Sequence, residues 1–195
     1  MKITGLILAG GRGSRMGDVD KGLQALAGKP MVVHVIERLA PQVDGLMLNA
    51  NRHLPEYARF GVPVWPDSNG DFAGPLAGIQ AGLQHCPTPL MMTAPCDSPF
   101  LPPDLVARLS EAMDRDDAEI AIPVTGIGAD AQAQPVFALL KVTLLADLDL
   151  FLRDDGHKMM RWFASRRLTE VHFDDEDAFR NINTLEDLQR FETRP

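Results

Sequence analysis

Residues 6–22 read Leu-Ile-Leu-Ala-Gly-Gly-Arg-Gly-Ser-Arg-Met-Gly-Asp-Val-Asp-Lys-Gly, and they limit this chain's fold more than any other stretch. They continue an apolar run, residues 3–9, broken only by Thr4 and Gly5, which is the pattern of a central strand buried on both faces. The run stops abruptly in glycines, and cations follow at Arg12, Arg15 and Lys21. Glycines permit φ > 0 and close approach of a ligand, so backbone N–H groups can point at an anion. Fixed cations just beyond such a turn suit a phosphate chain. The rest of the chain reads as a scaffold for presenting this loop.

That scaffold alternates. Pro30 suits the first turn of a helix whose stripe is Met31, Val32, Val35, Ile36 and Leu39, stopped by Pro41. Strands are predicted at residues 45–50 and 62–65, the second at a sheet edge because of Pro63, with a brief helix at most over 54–60. Residues 74–83 have helical periodicity but are mostly small, so this helix should pack closely. Residues 90–94 form a buried strand, and Pro103 opens a helix with Leu105, Val106, Leu109 and Met113 on one face. Strands are expected at 118–124, 134–140 and, half-exposed, 168–173, and helices at 143–152 and 158–165. Thr184-Leu-Glu-Asp187 resembles a capping box opening a last helix. Strands alternating with helices imply one α/β domain over residues 1–195. It would be a Rossmann-like three-layer fold with a mostly parallel sheet and an antiparallel element. Ligands gather at the carboxyl ends of such strands. The predicted ends Gly10, Asn49, Asp67 and Asp97 would face one crevice.

Size and charge set the class. A chain of 195 residues supports one well-buried domain and is short for two. Asp and Glu number 27 against 19 Lys and Arg, giving −8 and arguing against general nucleic-acid or anionic-membrane binding. Against that background Arg12, Arg15 and Lys21 stand out. No apolar run approaches the ~20 residues that span a bilayer. The N-terminus runs straight into the first strand, leaving no room for a signal peptide. Two cysteines, Cys86 and Cys96, make no disulfide framework. A reduced cytoplasm is the expected location.

Common phosphate motifs fail on spacing. The only Gly-Lys pair, Gly28-Lys29, is followed by Pro30 and lacks a glycine five residues before Gly28, so no Walker A loop is present. Gly11, Gly13 and Gly17 miss the dinucleotide fingerprint by one residue, and Asn49 stands where that fold needs a ribose-binding acid.

What remains is Leu8-Ala9-Gly10-Gly11-x-x-x-Arg15-Met16-Gly17-x-x-x-Lys21, which resembles the signature loop of nucleotidyltransferases that activate sugars or pterins. With two glycines after Leu-Ala and with Asp20-Lys21-Gly22, it resembles the molybdenum cofactor guanylyltransferase family in particular. The resemblance extends, in order, through Asn49-Ala50-Asn51-Arg52, Asp67-Ser68, Gly74-Pro75-Leu76-Ala77-Gly78, Pro95-Cys96-Asp97-Ser98-Pro99-Phe100, Gln134-Pro135-Val136-Phe137 and Asn181-Ile182-Asn183-Thr184. It implies GMP transfer from GTP to the terminal phosphate of molybdopterin, normally with molybdenum bound, and release of pyrophosphate. It implies GTP contacts at Leu8, Ala9, Gly10, Gly11, Lys21, Asn49, Asp67 and Asp97. Arg15, Lys21 and Asp97 become the catalytic set, and Asp97 the ligand of Mg²⁺, for which Mn²⁺ could substitute. Gly78, Asn181 and Asn183 fall toward the second substrate. The nucleotide part would occupy about residues 1–100 and the molybdopterin part about 101–195. GTP and molybdopterin are the implied partners, with transient docking to molybdenum insertion proteins or apo-molybdoenzymes. Relatives using CTP carry a second alanine where this chain has Gly10, so Gly10 favours guanine.

Elementary chemistry agrees with that reading. Attack on an α-phosphate crowds negative charge onto the reacting oxygens, so catalysis is mostly positioning and neutralisation. Mg²⁺ prefers one or two carboxylates plus phosphate and water oxygens, which one aspartate at a strand end satisfies. Asn49, whose amide both donates and accepts, suits base reading together with backbone groups at residues 8–10.

Plainer roles stand beside these. The glycines could form only a tight turn, and Asp97 could cap the next helix in competition with Ser98 or Asp104. Asp67 could be a turn former. Asn181 and Asn183, alternating about Ile182, could share a strand face near the second substrate or form a turn. Gly78 suits close helix packing. The five histidines lack metal spacing, Cys96 reads as a small core residue, and the acidic run 174–177 as a solvated turn. The rival functions are a molybdopterin cytidylyltransferase, a sugar-phosphate nucleotidyltransferase, and a GTP-binding regulatory module without catalysis.

Overall fold

In a computed structural model of the chain, the opening apolar run is β1 (Ile3–Leu8), buried along nearly its whole length. The structure describes residues 1–9, 20–68, 74–154, 156, 158–182 and 187. The loop residues Gly10, Gly11, Arg12 and Arg15, together with Asn183 and most of the expected last helix, lie outside the described residues.

A two-stranded hairpin, β2 (Ala25–Leu26) and β3 (Lys29–Pro30), comes next among the described residues. Its turn uses Ala27 at φ 49° and Gly28 at φ 79°, the pair of positive values a type I′ turn requires. Then come α1 (Met31–Leu39), β4 (Gly45–Asn49), α2 (Leu54–Ala58), β5 (Val64–Trp65) and α3 (Pro75–His85). The second half holds β6 (Leu90–Pro95), α4 (Leu105–Arg115), β7 (Ile120–Thr125), β8 (Gln132–Ala133) and β9 (Leu139–Lys141). It ends with α5 (Leu145–Arg153), α6 (Met159–Phe163) and β10 (Leu168–Phe173).

The main sheet runs β10-β7-β9-β6-β1-β4-β5, with β8 alongside β7. β1 is parallel to both β4 and β6, while β9 is antiparallel between β6 and β7. The expected α/β domain with a mostly parallel sheet and an antiparallel element is what forms. Alternation along the strands feeds two cores. Ile7 and Leu48 join Val32, Val35, Leu39, Tyr57, Leu105 and Leu109 on the α1/α4 face. Leu6, Met47 and Met91 join Leu76, Ile79, Leu83 and Trp162 on the α3/α6 face. The small residues of α3 serve contact: a Cβ at Gly82 would strike the side chain of Leu6 and come within 2.9 Å of Met91 Sδ.

Three local expectations change. Residues 134–138 are not a strand. Pro135 donates no ladder bond, Phe137 N closes a turn on Gln134 O at 3.0 Å, and Thr93 Oγ1 donates to Val136 O at 2.7 Å. Only Leu139–Lys141 pair in the sheet. α4 begins two residues after Pro103, and Asp104 gives it no side-chain cap; Gln42 Oε1 accepts from Val106 N at 3.1 Å instead. Asn181 lies in irregular backbone rather than on a strand face.

The far edge of the sheet is tied electrostatically. Thr169 Oγ1 on β10 donates to Asp116 Oδ2 at 2.5 Å at the end of α4, and Arg115 Nη2 donates to the same carboxyl at 2.7 Å. The Arg115 guanidinium first, and Thr169 second, hold the Asp116 carboxyl down at about 2. A depressed carboxylate stabilises the fold above its unfolded value and loses that contribution as pH falls toward 2. Thr169→Val should lower stability at pH 7 and shrink the loss between pH 4 and pH 2. Denaturant unfolding at both ends of that range checks it, and identical pH dependence in the two proteins would refute it.

Candidate active site

The sheet changes winding direction at β1: the chain passes from β1 to β4 and β5 on one side, then to β6 on the other. Such a switch point opens a crevice at the carboxyl ends of the strands. Pairing there continues past the strands themselves. Ala9 N donates to Asn49 O at 2.7 Å, and Cys96 N donates to Leu8 O at 3.0 Å. Leu8 and Ala9 therefore sit between Asn49 on one flank and Asp97 on the other.

The β4/β5 flank carries an amide–carboxylate cluster. Asn49 is 2% exposed, and its Nδ2 donates to Trp65 O at 3.1 Å and to Asp67 Oδ1 at 2.8 Å. Asn51 Nδ2 donates to Asp67 Oδ2 at 2.8 Å, and Asp67 N returns a bond to Asn51 Oδ1 at 2.8 Å. Both amide hydrogens of Asn49 are thus committed, which leaves its oxygen as the group it can still offer. Gly78 on α3 lies against this cluster: a Cβ there would overlap Asn49 Oδ1 and approach Leu8 Cδ2 to 2.7 Å. The glycine lets α3 close on the Asn49 amide, which puts Gly78 on the Asn49 flank of the crevice.

The β6 flank carries the charges. Lys21 Nζ lies 3.2 Å from Asp97 Oδ2, with side-chain exposures of 24% and 13%. A salt bridge at this depth is partly withdrawn from water. Asp97 is further fixed by its main chain, whose carbonyl accepts from Ile182 N at 2.8 Å. Next to it, Ser98 Oγ donates to Asn181 Oδ1 at 2.6 Å, bringing the 181–182 segment to Asp97. Lys21 opens a 3₁₀ turn, residues Lys21–Leu23, capped by Asp20, whose Oδ1 accepts from Gly22 N at 3.1 Å. The same oxygen accepts from the hydroxyl of the fully buried Tyr57 at 2.6 Å. Burial, then the nearby Asp97 charge, pushes the Cys96 thiol up, so it stays protonated as a core residue under Gly22.

The structure thus gathers Leu8, Ala9, Lys21, Asn49, Asp67, Gly78, Asp97 and Asn181 around one strand-end crevice. Gly10, Gly11, Arg15 and Asn183 lie outside the described residues. Tyr57, Asn51 and Ser98 were not picked out as site residues by the sequence, although the last two sit inside motifs that were. The remaining candidates go elsewhere. Asp174, Asp175 and Asp177 line a separate groove of about 450 Å³ with Arg38, Phe100 and Arg108. His34 bonds Leu26 O at 2.8 Å, His85 stacks on Trp65 at 3.7 Å, and His172 bonds Gly126 O at 3.0 Å, all structural contacts. Among the described residues no three His, Cys, Asp or Glu converge as a metal set. Asp97 alone fits an ion that takes its other ligands from phosphates and water.

Comparison with known proteins follows the same lines. Residues 5–171 match the family model described as the MobA-like NTP transferase domain. A molybdenum cofactor guanylyltransferase of Cupriavidus taiwanensis is 60% identical over 194 residues, 98% of this chain and 97% of that protein. One from Ralstonia pickettii is 55% identical over 198 residues, 98% of this chain and 97% of its own length. The crystal structure of molybdopterin-guanine dinucleotide biosynthesis protein A from Archaeoglobus fulgidus gives a TM-score of 0.78 at 23% identity. It covers 97% of this chain and 96% of that one, a likeness of fold.

Proposed function

The chain belongs to the MobA-like NTP transferase family and within it to the molybdenum cofactor guanylyltransferases, and from that premise we infer the reaction in detail. It transfers GMP from GTP to molybdopterin and yields the guanine dinucleotide form of the cofactor. A terminal phosphate oxygen of molybdopterin attacks the α-phosphorus of GTP. The bond from that phosphorus to the β-bridging oxygen breaks, and pyrophosphate leaves with the bonding electrons. The attacking phosphate is already ionised near neutral pH, so no general base is required.

The observation that carries the reaction class is the Lys21–Asp97 pair standing across β1 from the Asn49–Asp67 cluster. A nucleoside triphosphate laid over Leu8 and Ala9 would meet polar groups suited to base and ribose on one flank. On the other it would meet a cation and a carboxylate suited to phosphate. We assign Lys21 and Arg15 to the triphosphate and the departing pyrophosphate, and Gly10 and Gly11 to the backbone cradle. Asp67 receives the sugar or base, held in place by Asn49 and Asn51. Mg²⁺, held by Asp97 and by the oxygens of GTP, would neutralise charge on the reacting phosphate; Mn²⁺ has the same ligand preference. We assign Asn181 and Asn183 to molybdopterin, together with the half of the chain from about residue 101 onward. No helix of the described residues is long and apolar enough to cross a membrane. Two free cysteines fit a reducing cytoplasm, where the product would pass to molybdenum insertion proteins or apo-molybdoenzymes.

The test is pyrophosphate release from purified protein, molybdopterin and Mg²⁺ with GTP, CTP, UTP or ATP in turn. GTP should support release far better than the others. Preference for CTP or UTP would reassign the enzyme, and tight GTP binding without turnover would point to a regulatory module.

A further inference from the structure

We propose that Tyr57 is a positioning residue for guanylyl transfer, acting through Asp20 on Lys21; the assignment rests on the reaction inferred above. Tyr57 sits on α2, between β4 and β5, with its ring buried edge-on to Phe60 at 6.2 Å. Its hydroxyl crosses to Asp20 Oδ1 at 2.6 Å, a contact 37 residues apart. Asp20 directly precedes Lys21 in the chain, so the phenol is bonded next to the residue that we assign to the triphosphate. The accepting oxygen also caps Gly22 N, so one atom joins the phenol to the turn that begins at Lys21.

The junction leaves no slack. A Cβ at Gly22 would overlap the Tyr57 hydroxyl and come within 3.2 Å of Cys96 Sγ, the residue preceding Asp97. Tyr57, Asp20, Gly22 and Cys96 are thereby packed into one unit, and Lys21 and Asp97 emerge from it facing each other at 3.2 Å. A donor buried in this way keeps its proton: desolvation pushes the Tyr57 phenol well above its ordinary value, so the bond persists across the working pH range. The stretch that carries Asn49 and Asn51 on the base side thus also anchors the phosphate side, through Tyr57. Small misplacements of a charged group cost rate because transfer depends on orientation.

Tyr57→Phe keeps the ring and removes only the bond. It should lower kcat/KM for GTP about tenfold, mainly through kcat, as expected for lost positioning. In a Lys21→Ala background the same change should have no further effect. A merely structural role would cost the same factor in both backgrounds, so a double-mutant cycle separates the two. Thermal unfolding verifies that each variant is folded. Should Tyr57→Phe not fold, Asp20→Ala removes the same bond, together with the cap on Gly22 N, and enters the cycle in its place. Wild-type kinetics in the single variant, or an additive cycle, would overturn the assignment while leaving the reaction intact. Should the wild type not turn over GTP, the reaction falls. The assignment is then decided by the same cycle read as Mg²⁺–pyrophosphate affinity, where additivity overturns it and non-additivity supports it.

Discussion

Replacing Asp97 with asparagine is expected to lower transfer by at least about a thousandfold, about 4 kcal/mol of transition-state free energy. The substitution keeps the shape of the side chain and removes its charge. Two losses coincide. The ligand that we assign to Mg²⁺ becomes a neutral amide, a far weaker partner for a hard dication. Lys21, 3.2 Å away, loses the carboxylate that orients its ammonium. The fold should survive, because the bond that ties residue 182 to this position is made by the Asp97 main-chain carbonyl. Pyrophosphate release and a thermal midpoint, measured together, decide the matter. Turnover at the wild-type rate in Mg²⁺ would remove Asp97 from the reaction, and a collapsed midpoint would make its role structural.

The sequence revealed the parts of this site that are local and left hidden the parts that are not. A buried run ending in glycine specified β1 and the crevice at its end, and the polar residues closing the other parallel strands named Asn49, Asp67 and Asp97 as its walls. These follow from periodicity and from the rule that strand ends share a face. Contacts between distant segments leave no such trace. The bond from Tyr57 to Asp20 spans 37 residues, and that from Ser98 to Asn181 spans 83. Tyr57 reads as one more apolar position on a short helix, and Ser98 as a capping residue. The hairpin of β2 and β3 is hidden for another reason: strands of two residues are too short to alternate, and only the Ala27-Gly28 turn marks them. Residues 134–140 mislead because their composition suits a strand while Pro135 breaks the ladder and Thr93 takes over the carbonyls. Asn49 was legible as the polar end of its strand, but its hydrogen bonds were not. From sequence its amide reads as free to donate to a base, whereas Asp67 and the Trp65 carbonyl take both hydrogens.

Lys21→Ala should lower kcat/KM for GTP about a hundredfold, about 2.7 kcal/mol, the usual loss for one preorganised group at a developing charge. The size of the loss does not by itself say what Lys21 does, because the ammonium could act on the phosphates or could only hold Asp97 in place. The two roles separate on product inhibition. Pyrophosphate carries the β- and γ-phosphates to which we assign Lys21, whereas GMP carries only the α-phosphate. If the ammonium contacts the departing group, the variant should bind pyrophosphate at least about tenfold more weakly and GMP as the wild type does, since one charge-assisted contact is worth about 1.5–3 kcal/mol. If Lys21 serves only to orient Asp97, both products should bind the variant alike. Its effect should then vanish once Asp97 is already asparagine, because a group that acts only through another has nothing left to orient. Inhibition constants for the two products, in the wild type, Lys21→Ala and the double variant with Asp97→Asn, therefore distinguish a cation that takes the charge of the leaving pyrophosphate from one that only positions the carboxylate. Equal pyrophosphate inhibition in the wild type and Lys21→Ala would withdraw Lys21 from the phosphate chain.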